Sequence, residues 1–328
     1  MVVGNGPASC SARRSSAAVV RKRGASSETI AMRWIPVCTA LLLATAQLGA
    51  QNDLTVVSSF DWQTGTLAMR LRSSVDLNAS NAPARLFEAQ RRMEREFPQL
   101  LFTGVLPLAI DSTRIVEDAI TTNPRLAAQI AELSDRASPG VAVPSPALDA
   151  VEVEYRVPLF PDVVELFVTH RTPFRLERLI EWVPSRPFSG VVIYAADRLP
   201  LRGTGEQVLL RPALLPEIFD TEFRPVLRQD MVDPAAIARW GVVAYTEDTD
   251  PDLWRDRVGS DPMLVMARQV FGIEPTDVVI SPEDANRLLS VPENRELLRQ
   301  GRILIVLAPG QSTVVGTTDT TALELPNR

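Results

Sequence analysis

FSGVVIYAADRLPLRGTGEQVLLRPALLPEIFDTEFRPVLRQDMVDP, residues 188–234, is the stretch on which the reading of the fold turns. It opens with an apolar run, Gly190 to Ala195, and breaks into a polar loop carrying Gly203 and Gly205. It then presents the proline-punctuated segment Arg211 to Asp220. Short apolar runs bounded by Gly and Pro read as buried strands. Pro225 and Pro234 end the elements that follow, because proline lacks the N–H that a ladder or a helix interior uses. Gly203-Thr204-Gly205 reads as a hairpin loop. A dinucleotide fingerprint needs a third glycine and the start of a helix, and the sequence offers neither here. Arg211, Pro212, Leu214, Leu215, Pro216 and Asp220 are the candidate interaction surface, a segment predicted to be presented for recognition.

Towards the C-terminus, Pro234 to Arg239 reads as a short helix and Val242 to Tyr245 as a strand. Val278 to Ile280 runs into Ser281-Pro282-Glu283-Asp284, where Ser281 caps a helix, Pro282 suits its first position and Asp284 completes a capping box. Ile303 to Leu307 returns as a buried strand. The Thr-rich residues 309–328 are expected to form a flexible tail.

Towards the N-terminus, 171–187 carries Pro173, Pro184 and Pro187 and reads as a linker. Before it, Leu54 to Phe60 and Thr66 to Val75 alternate apolar and polar residues as paired, half-buried strands do. Pro83 to about Leu101 repeats Leu86, Met93, Phe97, Leu100 and Leu101 at helical spacing. Ser80 or Asn81 is the expected cap, Glu88 is expected to face Arg92, and Pro98 is expected to kink or end the helix. Leu106 to Ile110 is a strand, Asp111 or Ser112 caps a helix through Val116 to Ile120, and Leu126 to Leu133 is another helix. Ser138 to Pro146 is a Pro-rich surface connector, Val151 to Val157 a strand, and Val163 to Val168 a helix or strand. The fold class is therefore α+β: two small domains, 51–170 and 188–308, joined by a Pro-rich linker.

Residues 33–50, RWIPVCTALLLATAQLGA, have the layout of a secretory signal peptide: Arg33, an apolar run too short to span a membrane, then small residues. Residues 1–31 lack apolar periodicity and read as an extension that is untranslated or disordered, with Met32 the expected true start. Cleavage after Ala50 removes Cys10, Cys38 and Lys22, the only cysteines and the only lysine. Disulfides, thiolate metal sites, Cys nucleophiles and Schiff-base chemistry are then excluded together. From Gln51 onwards the chain carries 28 arginines against 39 acidic residues, a net charge of −11. That balance opposes nonspecific nucleic-acid binding, which depends on neutralising phosphates.

The order Ala84-Arg85-Leu86-Phe87-Glu88-Ala89-Gln90-Arg91, Leu106-Pro107-Leu108, Ile110-Asp111-Ser112 and Val153-Glu154-Tyr155-Arg156-Val157 resembles the N-terminal region of exported spirochaete proteins of unassigned function. Their first domain is similar to the dodecin-like domain of small outer-membrane lipoproteins and of flagellar assembly protein T. Phe188 to Ile193, Arg211 to Asp220, Thr276 to Ser281 and Gly301 to Leu307 resemble the second domain of such proteins. The resemblance implies a periplasmic or outer-membrane-associated protein without catalytic residues, with envelope or flagellar proteins as partners. No cysteine follows the signal segment, so direct lipid anchoring is not expected.

No catalytic constellation is legible. His170, the only histidine, has no partner in the pattern and reads as structural. Glu247, Asp248, Asp250, Asp252 and Asp256 are closely spaced, as calcium ligands are. They lack the glycine and terminal glutamate of an EF-hand, and Pro251 interrupts them, so a solvated loop is expected. Asp61, Asp111, Asp220 and Asp277 each end an apolar run, where catalytic acids and turn residues both occur; turns and caps are the expectation. Trp62, Trp182, Trp240 and Trp254 suit an interface or a core equally. No cofactor is implied. The sequence thus points to an exported envelope protein with a binding or assembly role. The alternatives are a carboxylate-dependent hydrolase outside the cytoplasm and a small-molecule carrier.

Overall fold

The structure is a computed structural model of the chain, and it describes residues 54–78, 80–176 and 183–319. Alternation builds the first sheet. Leu54–Asp61 (β1) and Thr66–Ser74 (β2) pair antiparallel, with Val56 opposite Leu71 and Phe60 opposite Leu67. Their apolar residues share one buried face, and Ala82–Val105 (α1) lies over it, burying Met93, Phe97, Leu100 and Leu101. Pro98 does not end the helix. An internal proline costs about 3 kcal/mol, but Leu100, Leu101 and Val105 beyond it are all buried, at roughly 1.5–3 kcal/mol for each large side chain. Burial decides the outcome. Asn81 precedes the helix without a side-chain capping bond, and Arg92 pairs forward with Glu96 at 2.9 Å.

Ala109–Asp111 (β3) and Arg114–Ile115 (β4) form a tight hairpin, followed by Val116–Thr122 (α2) and Arg125–Glu132 (α3). The cap of α2 is not Asp111 or Ser112: the Asp118 carboxylate accepts from the Ile115 N–H. The Pro-rich connector touches the sheet through Ser138–Pro139 (β5) and Val143–Pro144 (β6), both exposed, on either side of Gly140. Ala150–Pro158 (β7) completes the pairing with β2, and its Tyr155 stacks on Phe97 at 4.1 Å. Short helical turns over 159–166 follow. Of the expected linker, 177–182 lie outside the described residues, and with them Trp182. Residues 172–176 and 183–187 hold neither helix nor strand.

The second half contains two sheets. Val191–Ala195 (β8) is followed by the hairpin of Leu199–Pro200 (β9) and Gln207–Val208 (β10), so Gly203 and Gly205 do sit in a hairpin loop. Ile218–Asp220 (β11), Pro225–Leu227 (β12), Pro234–Trp240 (α4), Ala244–Thr246 (β13) and Arg255–Val258 (α5) come next. Then follow Met263–Met266 (β14), Gln269–Phe271 (β15), Asp277–Ile280 (β16), Pro282–Ser290 (α6), Pro292–Arg299 (α7) and Ile303–Leu307 (β17). The order β13-β17-β8-β14 is a parallel sheet, and β12-β11-β16-β15 is a mixed one. A parallel sheet is covered on both faces, which is why VVIYA and ILIVL are continuous apolar runs and not alternating ones. Val191, Ile193, Ile303 and Ile305 face the main core; Val192, Leu304 and Val306 face Val258 of α5. Ser281 caps α6 as expected, its hydroxyl accepting from the Asp284 N–H at 3.1 Å.

The two halves are α+β, and they share one core. One hydrophobic cluster runs through both, from Leu54 to Leu307, beside the smaller one of Val192, Val258, Leu304 and Val306. The expected flexible tail is corrected as far as residue 319, the remaining 320–328 lying outside the described residues: Thr313–Asp319 (β18) returns to the first half and pairs antiparallel with β1, from Thr55 opposite Asp319 to Asp61 opposite Thr313. Val314, Val315, Thr317 and Thr318 favour a strand, and the edge of β1 offers one a partner.

Gly272, between β15 and β16, lies against the first half with φ +120°. A Cβ there would sit 2.5 Å from Ser112 Cβ and 2.3 Å from the Glu274 carbonyl oxygen. Gly203 has φ +85° but nothing within 4 Å of the same position. We predict that G203A costs about 1 kcal/mol, the conformational penalty alone, whereas G272A costs at least ~3 kcal/mol because two backbones must part. Thermal unfolding of the two variants checks this; equal losses would contradict the close approach.

Candidate functional site

The segment chosen from the sequence as an interaction surface is the seam between the halves. Arg211 alone is exposed, pairing with Glu274; Pro212, Leu214, Leu215, Pro216 and Asp220 are buried. The expected surface role is therefore corrected. Leu214 N–H donates to Ala109 O at 3.1 Å and Leu215 N–H to Ile110 O at 2.8 Å, so the segment runs beside β3. Pro212 and Pro216 bracket this pairing, and having no N–H they leave no buried donor to satisfy. Across Ala213 the Tyr245 hydroxyl makes a closed pair of bonds, accepting from its N–H and donating to its carbonyl, both at 3.1 Å. Tyr245 also meets Trp62 edge-on at 5.6 Å, so this tryptophan serves an interface within the chain. Full burial raises the Tyr245 phenol well above its ordinary pKa.

Beneath the seam lie three carboxylates. Asp277 is 1% exposed and accepts from Glu217 N–H at 2.9 Å, while Ser112 carries Glu274 N–H on its carbonyl at 3.1 Å. Burial, then repulsion from Asp277, pushes Glu217 up to about 7. Burial also pushes Asp277 up to about 6, with repulsion from Asp111 adding to it and hydrogen bonds from Ser112 and the Glu217 backbone opposing it. Asp111 itself holds the β3–β4 turn through Thr113 and Arg114. Asp220 holds the next one, accepting from the N–H groups of Glu222 and Arg224 at 2.9 Å and pairing with the Arg224 side chain. Asp61 likewise accepts from Gln63 and Thr64.

The remaining candidates are placed as follows. His170 Nε2 is bonded to Val232 O at 2.8 Å, which ties the start of the linker to the second half. In the acidic loop, Asp248 accepts from Asp250 N–H, Asp250 from Asp252 N–H, and Glu247 from Ser312 N–H. Among the described residues no group of three or more acids or histidines is gathered to hold a metal ion. No helix among them is long and apolar enough to cross a membrane. Glu217 and Tyr245 are not singled out by the sequence, and Ser112 only as a candidate helix cap. The one signal for Glu217 was its place as a lone acid in the apolar run Leu214 to Phe219.

Two family profiles match the chain. The one described as Treponema pallidum Tp0624, N-terminal domain, matches residues 53–166. The one described as Treponema pallidum Tp0624, second domain, matches residues 190–309. The chain belongs to the Tp0624 family. The two matches follow one another in the order that their descriptions give and together span more than two thirds of the sequence. No curated protein matches the chain. The boundaries set the seam in context: Ala109 to Ser112 belong to the N-terminal domain, and Leu214, Leu215, Glu217, Tyr245 and Asp277 to the second. The final strand β18 runs past the second match and back to the first domain's sheet.

The seam carboxylates predict an unusual pH dependence. Their folded pKa values lie above the ordinary carboxylate range, so between about pH 4 and pH 7 the native state binds more protons than the unfolded chain. Their contribution to stability is full at the acidic end and is lost as pH rises through about 6 and about 7. The carboxylates whose values are lowered, such as Glu154 and Glu247, act below this window. We predict that the urea midpoint falls between about pH 5.5 and pH 8, and that E217Q flattens the fall and stabilises the protein at the upper end. Glu217 is part-exposed, so the gain is on the order of 1 kcal/mol after solvent screening. An unchanged slope in E217Q would contradict this assignment.

Proposed function

We propose that this is an exported envelope protein that acts by binding within an assembly and not by catalysis. The observation that carries the reading is the use made of the buried acids. Asp111, Asp220 and Asp277 each spend their oxygens on neighbouring N–H, hydroxyl or guanidinium groups of their own chain, which is the work of turn and seam residues. The signal-like residues 33–50 support export. The resemblance of the first domain to the dodecin-like domain of small outer-membrane lipoproteins and of flagellar assembly protein T extends the proposal to a periplasmic or outer-membrane assembly, a flagellum-associated one included.

One observation favours a second reading. Glu217 near 7 and Asp277 near 6 have the raised values that a general acid needs, and the pair suits a carboxylate-dependent hydrolase. Against it, Asp277 is almost wholly buried, and three clefts among the described residues, beside Phe174, beside Arg85 and beside Trp240, are lined by neither acid. Fractionation of native cells decides the first point. The protein is expected with the periplasm or outer membrane and cross-linked there to other envelope proteins; a soluble cytoplasmic location would overturn the proposal. Hydrolysis of a glycan or peptide that disappears in E217Q would favour the second reading instead.

A further inference from the structure

Arginine side chains gather where α4 and α7 end. Arg239 lies 4.4 Å and Arg257 4.7 Å from the centroid of the Trp240 ring. The Trp240 Nε1–H donates to Gln300 O at 3.0 Å and ties the two helix ends together, and Arg302 follows two residues later. Gly301 makes the approach feasible: a Cβ there would meet the Gly241 carbonyl oxygen at 2.9 Å. Beside this junction is a cleft of about 300 Å³ lined by Arg239, Trp240, Gln300 and Arg302, with Ala235, Ala236 and Asp233 further along α4.

The simplest account of these cations is that they cap helix C-termini, and it explains part of the pattern. Arg257 donates to Trp240 O at 2.5 Å and to Gly241 O at 3.0 Å. Two helix ends supply together about one negative charge, however, against three guanidinium groups. Among the described residues Arg239, Arg257 and Arg302 have no carboxylate within 4 Å, as is true also of some dispersed arginines such as Arg95 and Arg268; what distinguishes these three is that they stand together around Trp240. Arg257 is 5% exposed, and its Nε and that of Arg302 are buried without a hydrogen-bond partner. A buried donor left unpaired costs roughly 1–3 kcal/mol. Burial, then repulsion from Arg239 and Arg302, brings Arg257 down to about 9, which leaves it charged at neutral pH. This is an excess of positive charge in a protein that is otherwise strongly acidic. Asp233 also lines the cleft and offsets part of this charge; its carboxylate accepts from Ala235 N–H at the start of α4, about 9 Å along the helix axis from Arg239.

We infer that the cleft beside Trp240 is an oxyanion site that takes the phosphate group of a small molecule, held by Arg239 and Arg302 over the charge of Arg257. The planar guanidinium fork matches phosphate oxygens in pairs, and a doubly charged anion meets the excess that the helix ends leave. The site lies apart from the seam and does not depend on the envelope role proposed above.

Isothermal titration of the folded protein with inorganic phosphate, at constant ionic strength with chloride as control, tests the inference. Saturable binding is expected with a dissociation constant of about 1 mM or tighter, weakened at least about tenfold by R239Q and by R302Q. Arg239 is exposed, so R239Q is expected to fold even if R302Q does not. The phosphate-dependent rise in Tm should likewise be lost in R239Q. No saturable binding up to about 20 mM, or equal affinity in wild type and R239Q, would overturn it.

Discussion

Two backbone hydrogen bonds, from Leu214 and Leu215 to Ala109 and Ile110, set the register in which the second domain meets the first. Each is worth about 1 kcal/mol, and the two leucines, both buried, add roughly 1.5–3 kcal/mol apiece. Around this pairing the other contacts across the seam fall into place: Tyr245 against Trp62, Glu274 N–H on Ser112, and Gly272 at a distance from Ser112 that only glycine permits. The strand β18 adds a second tie, carrying the chain from the second domain back to β1. The first domain's sheet is therefore completed by a strand that lies outside both family matches.

The electrostatics follow from the same packing. Glu217 and Asp277 are 60 residues apart in sequence and reach one another only because β11 and β16 are parallel neighbours under the seam. Their raised values are the cost of burying two acids together, and the hydrogen bonds from Ser112 and Glu217 N–H offset part of it. The arginine cluster at the ends of α4 and α7 shows the opposite imbalance. The seam holds too much negative charge for its surroundings and the cleft too much positive, yet the two differ in access. Asp277 is sealed, whereas Arg239 stands at the surface.

What the sequence revealed was local. Alternation in Thr66 to Ser74 and unbroken apolar runs in Val191 to Ala195 and Ile303 to Leu307 state their burial directly, and the structure follows them. Ser281 with Asp284 likewise fixes the start of α6 within four residues. The misread caps of α1 and α2 are local, but the larger failures involve distant partners. Pro98 reads as a helix end until the sheet beneath Leu100 and Leu101 is known. Pro212 to Pro216 has the same apolar, proline-bracketed composition whether it grips another protein or its own first domain, and the choice depends on Ala109 and Ile110, about a hundred residues earlier. The Thr-rich residues 313–319 have strand propensity, but the edge that receives them lies at the other end of the chain. The carboxylate pair was hidden for the same reason.

The central claim is that the two family domains unfold as one body. Native-state hydrogen exchange in increasing urea, on a chain comprising residues 51–328, measures this directly by following amides of β2 in the first domain and of β17 in the second. A shared core and a continuous seam predict that both sets converge on one opening free energy and one midpoint. Two separate midpoints, with β17 still protected after β2 has exchanged or the reverse, would contradict it.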